Sequence, residues 1–102
     1  MLTLTDKTFS KHLDEGDPMI IMFVAKFAGP CALAEPMFEE ARNRRGNQIK
    51  FAKFDLDGNS KVPNTYGIRS IPSFVLFIGG LPVDAVAGAV PTDRILEMLD
   101  AV

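Results

Sequence analysis

Met19-Ile20-Ile21-Met22-Phe23-Val24-Ala25, followed by Lys26-Phe27-Ala28-Gly29-Pro30-Cys31, is the stretch that decides the fold. Its first part is a continuous apolar run of strand length, as expected for a strand covered on both faces. Gly29-Pro30 breaks the run. Pro30 suits the first turn of a helix, because its missing N–H would be unpaired there anyway. The helix is expected from Cys31 to about Arg45, with Leu33, Met37, Phe38 and Ala41 on its buried face and Pro36 kinking it rather than ending it. Arg42, Arg44 and Arg45 suit the negative end of that helix, and Gly46 supplies its stop.

On the N-terminal side, Thr5 and Asp6 are expected to cap a short helix carrying Phe9, His12 and Leu13, ended by Gly16-Asp17-Pro18. On the C-terminal side, Ile49–Leu56 reads as a strand, Asp57-Gly58-Asn59-Ser60 as a turn, and the residues up to about Tyr66 as a short helix stopped by Gly67. Phe74–Ile78 and Val83–Ala87 read as strands joined at Gly79-Gly80, with Pro82 marking the second as an edge strand. A last helix from about Pro91 is expected to bury Ile95, Leu96, Leu99 and Val102. From the first strand onward the order is β-α-β-α-β-β-α. That order implies an α/β fold whose central mixed sheet is flanked by helices on both faces.

Composition narrows the chemistry. The 102 residues fit one domain, residues 1–102. The net charge of −2 gives no electrostatic footprint for nucleic acid or an anionic membrane. No apolar run approaches a membrane span, and Met1–Asp6 does not read as a signal peptide, so a cytoplasmic protein is expected. One cysteine cannot form an internal disulfide, and with one histidine no metal cluster is expected. His12 reads as a solvated helix-face residue. Asp55-Leu56-Asp57-Gly58-Asn59 fails as a calcium loop, because Ser60 and Tyr66 stand where glycine and glutamate are needed. Gly79-Gly80 has no phosphate-loop context, and Arg42–Arg45 reads as helix-end charge.

Four separated segments then match one family in order: Phe27-Ala28-Gly29-Pro30-Cys31, Phe51-Ala52-Lys53-Phe54-Asp55-Leu56-Asp57, Gly67-Ile68-Arg69-Ser70-Ile71-Pro72-Ser73 and Phe77-Ile78-Gly79-Gly80. Over nearly its whole length the chain resembles a thioredoxin. The family's site is Trp-Cys-Gly-Pro-Cys at a strand-to-helix junction, facing a cis-proline preceded by isoleucine. The resemblance implies a thioredoxin-like fold and thiol–disulfide electron transfer without a cofactor. It implies disulfide-bearing or unfolded protein clients, a thioredoxin reductase if a dithiol parent is active, and a monomer.

In such a site the first cysteine, at a helix N-terminus, is activated by unpaired amides and attacks a disulfide. The second then resolves the mixed disulfide. By resemblance Cys31 is the resolving cysteine, Gly29 and Pro30 the intervening dipeptide, Pro72 the cis-proline and Ile71 its substrate-facing neighbour. The nucleophile's position holds Ala28, whose methyl group cannot attack sulfur. Phe27 replaces the tryptophan. Met22 stands where the family places a buried aspartate that moves protons. Lys53 matches that aspartate's neighbour and, without it, is expected to extend its stem and keep its ammonium in water.

Ala28 leaves three readings open: a substitution introduced into a working thioredoxin, a natural binding or chaperone-like module without the chemistry, or a single thiol acting alone at Cys31. A free cysteine is also often no more than a small buried hydrophobe.

Overall fold

The computed structural model describes residues 1–26 and 28–102. Its strands are β1 (Leu2–Leu4), β2 (Met19–Val24), β3 (Lys50–Asp55), β4 (Ser73–Ile78) and β5 (Leu81–Ala87). Its helices are α1 (Phe9–Asp14), α2 (Gly29–Arg45), α3 (Lys61–Thr65) and α4 (Thr92–Leu99). The strands form one mixed sheet in the order β1-β3-β2-β4-β5. The three on the β1 side run parallel, and β4 and β5 are antiparallel to their neighbours.

The apolar run at Met19 becomes the middle strand because both of its faces are covered. Ile20 and Met22 enter the cluster under α2 and α4, with Phe38, Phe51, Phe74, Leu76 and Ile95. Met19, Ile21 and Phe23 point the other way, into the cluster under α1 and α3 with Phe9, Phe54, Val75 and Phe77. Strand geometry alternates side chains between faces, so an uninterrupted apolar run fits only where neither face meets water. β5 sits at the edge, mostly exposed, and Pro82 costs it no ladder donor it cannot spare. Gly79 and Gly80, with φ of 60° and 80°, turn the β4–β5 hairpin.

Several details differ from expectation. β1 was not anticipated: three residues at an edge are too short for a period to show. α1 starts only at Phe9, and Asp6 does not cap it. The Asp6 carboxylate instead accepts from the N–H groups of Lys61 and Val62 at 3.0 and 2.9 Å, capping α3 across 55 and 56 residues of chain. Asn59 Oδ1 accepts from Asp6 N–H at 2.9 Å and closes the clasp. The buried stripe of α2 is Cys31, Ala34, Phe38 and Ala41, with Leu33 63 % exposed rather than in the core. α4 buries Met98 with Ile95 and Leu99, while Leu96 is half-buried and Val102 is exposed. His12 is half-buried and bonds Glu15 at 3.2 Å instead of presenting a freely solvated ring.

α2 runs through Pro36 without ending, and Gly46 follows its last residue without a left-handed turn. Gly46 has φ of −65°, but a Cβ there would lie 2.6 Å from the Arg42 carbonyl oxygen. Just before it, Arg45 donates to the Leu99 carbonyl at 3.2 Å, tying the end of α2 to the end of α4.

Replacing Asp6 with Ala removes both bonds to the start of α3, and we expect a loss of about 1–2 kcal/mol. A urea midpoint unchanged from that of the parent chain would contradict this assignment.

Candidate functional site

β2 delivers the chain to the N-terminus of α2. Ala28 is the residue before the helix, in extended conformation, and its methyl group makes no side-chain cap. Gly29 and Pro30 follow as the first helical residues and are exposed. The Ala28 carbonyl accepts from Cys31 N–H at 2.9 Å, which closes the first turn. Cys31 is therefore the third helical residue and the first of the buried stripe, 6 % exposed. Pro30 ahead of it has no N–H to leave unpaired. The atom presented at the helix tip is a methyl carbon, and the thiol lies one turn inward.

The register of the sheet brings the second segment beside the first. Phe23 pairs with Ser73 in antiparallel β2 and β4, so the residues following β2 and those preceding β4 emerge at the same end of the sheet. Ile71 is half-buried there and Pro72 buried, and the bond between them is cis. The Pro72 carbonyl accepts from Gly88 N–H at 2.8 Å, and Ser73 Oγ donates to the Ser70 carbonyl, which fixes this loop against β5. A mostly apolar groove of about 380 Å³ runs from Tyr66, Ile68 and Ser70 to Val75 and Ala85. Ala85 and Ala87 are small enough to leave it open.

Cys31 faces a different cavity, of about 390 Å³, on the β1–β3 flank of the helix. Lys26, Glu35, Lys53 and Asp55 line it with the cysteine. Register places Thr3, Lys53, Met22 and Phe74 in one row across the sheet beneath α2. Met22 is wholly buried, as its place in the middle of the sheet requires. Lys53 lies one strand further out, with its side chain 27 % exposed. Its ammonium is not left to water. Lys53 Nζ donates to both carboxylate oxygens of Glu35 at 2.6 Å, correcting the expectation of a solvated, unpartnered lysine. Glu35, one turn beyond Cys31 on α2, is the site-lining residue that sequence reasoning missed. Its signal was present in the spacing: four residues after a buried cysteine, a carboxylate stands on the adjoining flank of the same helix.

The thioredoxin family model matches residues 1–101. The chain belongs to the thioredoxin family. It is 39 % identical over 98 residues to Thioredoxin 1 of Nostoc sp. (strain PCC 7120), covering 95 % of this chain and 92 % of that protein. It is 33 % identical over 98 residues to the thioredoxin of Alicyclobacillus acidocaldarius, covering 96 % and 93 %. Thioredoxin M2, chloroplastic, of Arabidopsis thaliana is 35 % identical over 83 residues, or 81 % of this chain and 45 % of that longer protein.

In this thioredoxin-family sheet the residues expected at the site fall into three groups. Ala28, Gly29, Pro30 and Cys31 share the first turn of α2. Ile71 and Pro72 lead into β4 at the same end of the sheet. Met22 and Lys53 are register partners beneath the helix. Phe27 lies outside the described residues. Among the described residues no three His, Cys, Asp or Glu side chains converge as metal ligands, and no helix is long and apolar enough to cross a membrane.

Cys31 is 6 % exposed, which limits its access to reagents. Alkylation by a neutral maleimide is expected to be at least about tenfold slower in the native chain than in urea, since it needs local opening. Equal rates in the two states, followed by mass spectrometry, would contradict the buried placement.

Proposed function

We propose that this member of a family of thiol–disulfide oxidoreductases keeps the family's client-binding frame and lacks its attacking thiol, so that as written it is redox-inactive or strongly impaired. The observation that carries this reading is Ala28 at the tip of α2, with Cys31 buried one turn inside. Attack on a disulfide needs a thiolate at the exposed helix end, where unpaired amides stabilise it. A resolving thiol has nothing to resolve until a mixed disulfide has formed.

On this reading Gly29, Pro30, Ile71 and Pro72, with Phe27, form the surface that receives an extended client segment. Cys31 holds the resolving position, and Met22 and Lys53 support it from below. The clients are disulfide-bearing or unfolded proteins. A thioredoxin reductase is a partner only of a form with cysteine at position 28. The protein acts as a single domain over residues 1–102, as a monomer, in the cytoplasm and without a cofactor.

With dithiothreitol as electron donor, we expect negligible reduction of insulin disulfides by the chain as written, and recovery of activity in Ala28→Cys. Turbidity that develops as quickly with the unaltered chain as with that variant would overturn the reading. A variant that forms the 28–31 disulfide but stays inactive would show that more than the nucleophile is lost.

A second reading has an observation of its own. The apolar groove beside Ser70 and Val75 continues from the Pro72 loop along β5 and needs no thiol to hold a peptide. A binding or chaperone-like module is expected to suppress aggregation of an unfolded client at stoichiometric concentration, whether or not Cys31 is alkylated. Light scattering that is unaffected by an excess of the protein would remove this reading.

A further inference from the structure

We propose that Asp84 holds the free edge of β5 closed, and that the surface it guards pairs with β5 of a second copy of this chain once the carboxylate is removed. The inference is independent of the chemistry at the start of α2.

Between Arg69 and Asp93 the chain carries one charged residue, and it is Asp84. β5 reads Leu-Pro-Val-Asp-Ala-Val-Ala, with Leu81 67 % and Val83 51 % exposed. The sheet order leaves one long side of this strand without a strand partner. The opposite edge, β1, has only three residues and is too short to template another chain. Seven residues of mostly apolar edge form, by contrast, a surface on which a further strand can build. The phase of the β4–β5 ladder fixes which groups that edge presents. Gly88 N–H donates to the Pro72 carbonyl at 2.8 Å. Opposed residues of an antiparallel pair alternate between exchanging bonds and facing away. Phe74 and Val86 therefore exchange bonds, as do Leu76 and Asp84. Ala85 and Ala87, opposite Val75 and Ser73, turn their N–H and C=O groups to the free side. There the Asp84 carboxylate accepts from Ala85 N–H at 2.8 Å.

A second β5 fits this edge because its outward groups complement themselves. About a two-fold axis through Val86, Ala85 of one copy faces Ala87 of the other, and each N–H meets a carbonyl. Asp84 obstructs that pairing in two ways. Its carboxylate already holds the Ala85 amide, one of the two outward donors at Ala85 and Ala87. It also brings a charge to a seam otherwise made of apolar residues, where closure would strip it of water without supplying a cation. Removing the carboxylate frees the amide and leaves the chain uncharged from Ser70 to Thr92. Pro82, which has no N–H to offer, blunts only the hairpin end of the strand.

The test is sedimentation velocity of the full chain over about a hundredfold range of concentration, combined with amide hydrogen exchange. The unaltered chain is expected to sediment as a monomer throughout. Asp84→Thr, which keeps a strand-forming side chain, is expected to dimerise at least about tenfold more strongly. In that dimer the amides of Ala85 and Ala87 should exchange more slowly, while those of β1 stay unchanged. Adding Ala87→Pro to Asp84→Thr removes an outward donor without touching the ladder to β4, and should restore the monomer. If Asp84→Thr precipitates instead of dimerising, Ala87→Pro should restore its solubility. An unaltered chain that dimerises as strongly as Asp84→Thr, or a variant that stays monomeric, would overturn the proposal. So would association or precipitation that survives Ala87→Pro. A monomeric Asp84→Thr that gains binding of an unfolded apolar peptide would overturn the assignment of a second copy as the partner.

Discussion

The middle strand has no free side. β2 is paired on both edges, by β3 and β4, and covered on both faces by helices, so each of its residues faces either a neighbouring strand or a core. Strand and helix then meet where β2 emerges from the sheet, and α2 begins within a few residues. The same pairing brings the start of antiparallel β4, with Ile71 and Pro72, to that end of the sheet. Open sheets of this kind place their chemistry beyond the carboxyl ends of parallel strands, where connections diverge. Here the position of the helix tip and of the proline loop both follow from how β2 is seated.

The helix built on that strand divides its residues sharply. Cys31, Ala34, Phe38 and Ala41 recur at intervals of three and four and face the sheet, where Phe38 packs 5.1 Å from Phe51 and 5.5 Å from Phe74 between ring centres. Cys31 stands at the start of that buried stripe and also lines the cavity on the β1–β3 flank. At the tip of the helix Gly29 and Pro30 are exposed and Ala28 is half-buried, outside that stripe. Exchange of a side chain at position 28 therefore changes chemistry with little effect on packing, whereas exchange at position 31 disturbs both. Ala28 presents a methyl group at the start of α2.

Polar groups near the site are satisfied by neighbours distant in sequence. Lys53 is held by Glu35, and Asp6 holds the start of α3. Both contacts replace a more local expectation, a lysine reaching for water and an aspartate capping the helix that follows it. The common reason is that a half-buried charge or an unpaired amide takes the strongest partner the tertiary structure offers. Sequence spacing cannot rank partners 18 or 55 residues away.

The sequence alone was enough for the middle strand, the hairpin at Gly79-Gly80, the helix opening at Gly29-Pro30 and the absence of a thiol at position 28, because each rests on local covalent or periodic properties. Apolar continuity, a missing N–H and a positive φ at glycine act over a few residues and leave marks in the chain. The short edge strand β1, the inward-facing stripe that includes Cys31 and excludes Leu33, and the pairing of Glu35 with Lys53 were decided only by tertiary structure. Each depends on which surfaces meet once the sheet has closed. A face of a helix becomes buried, and a carboxylate finds its lysine, through contacts between segments that the order of residues does not specify.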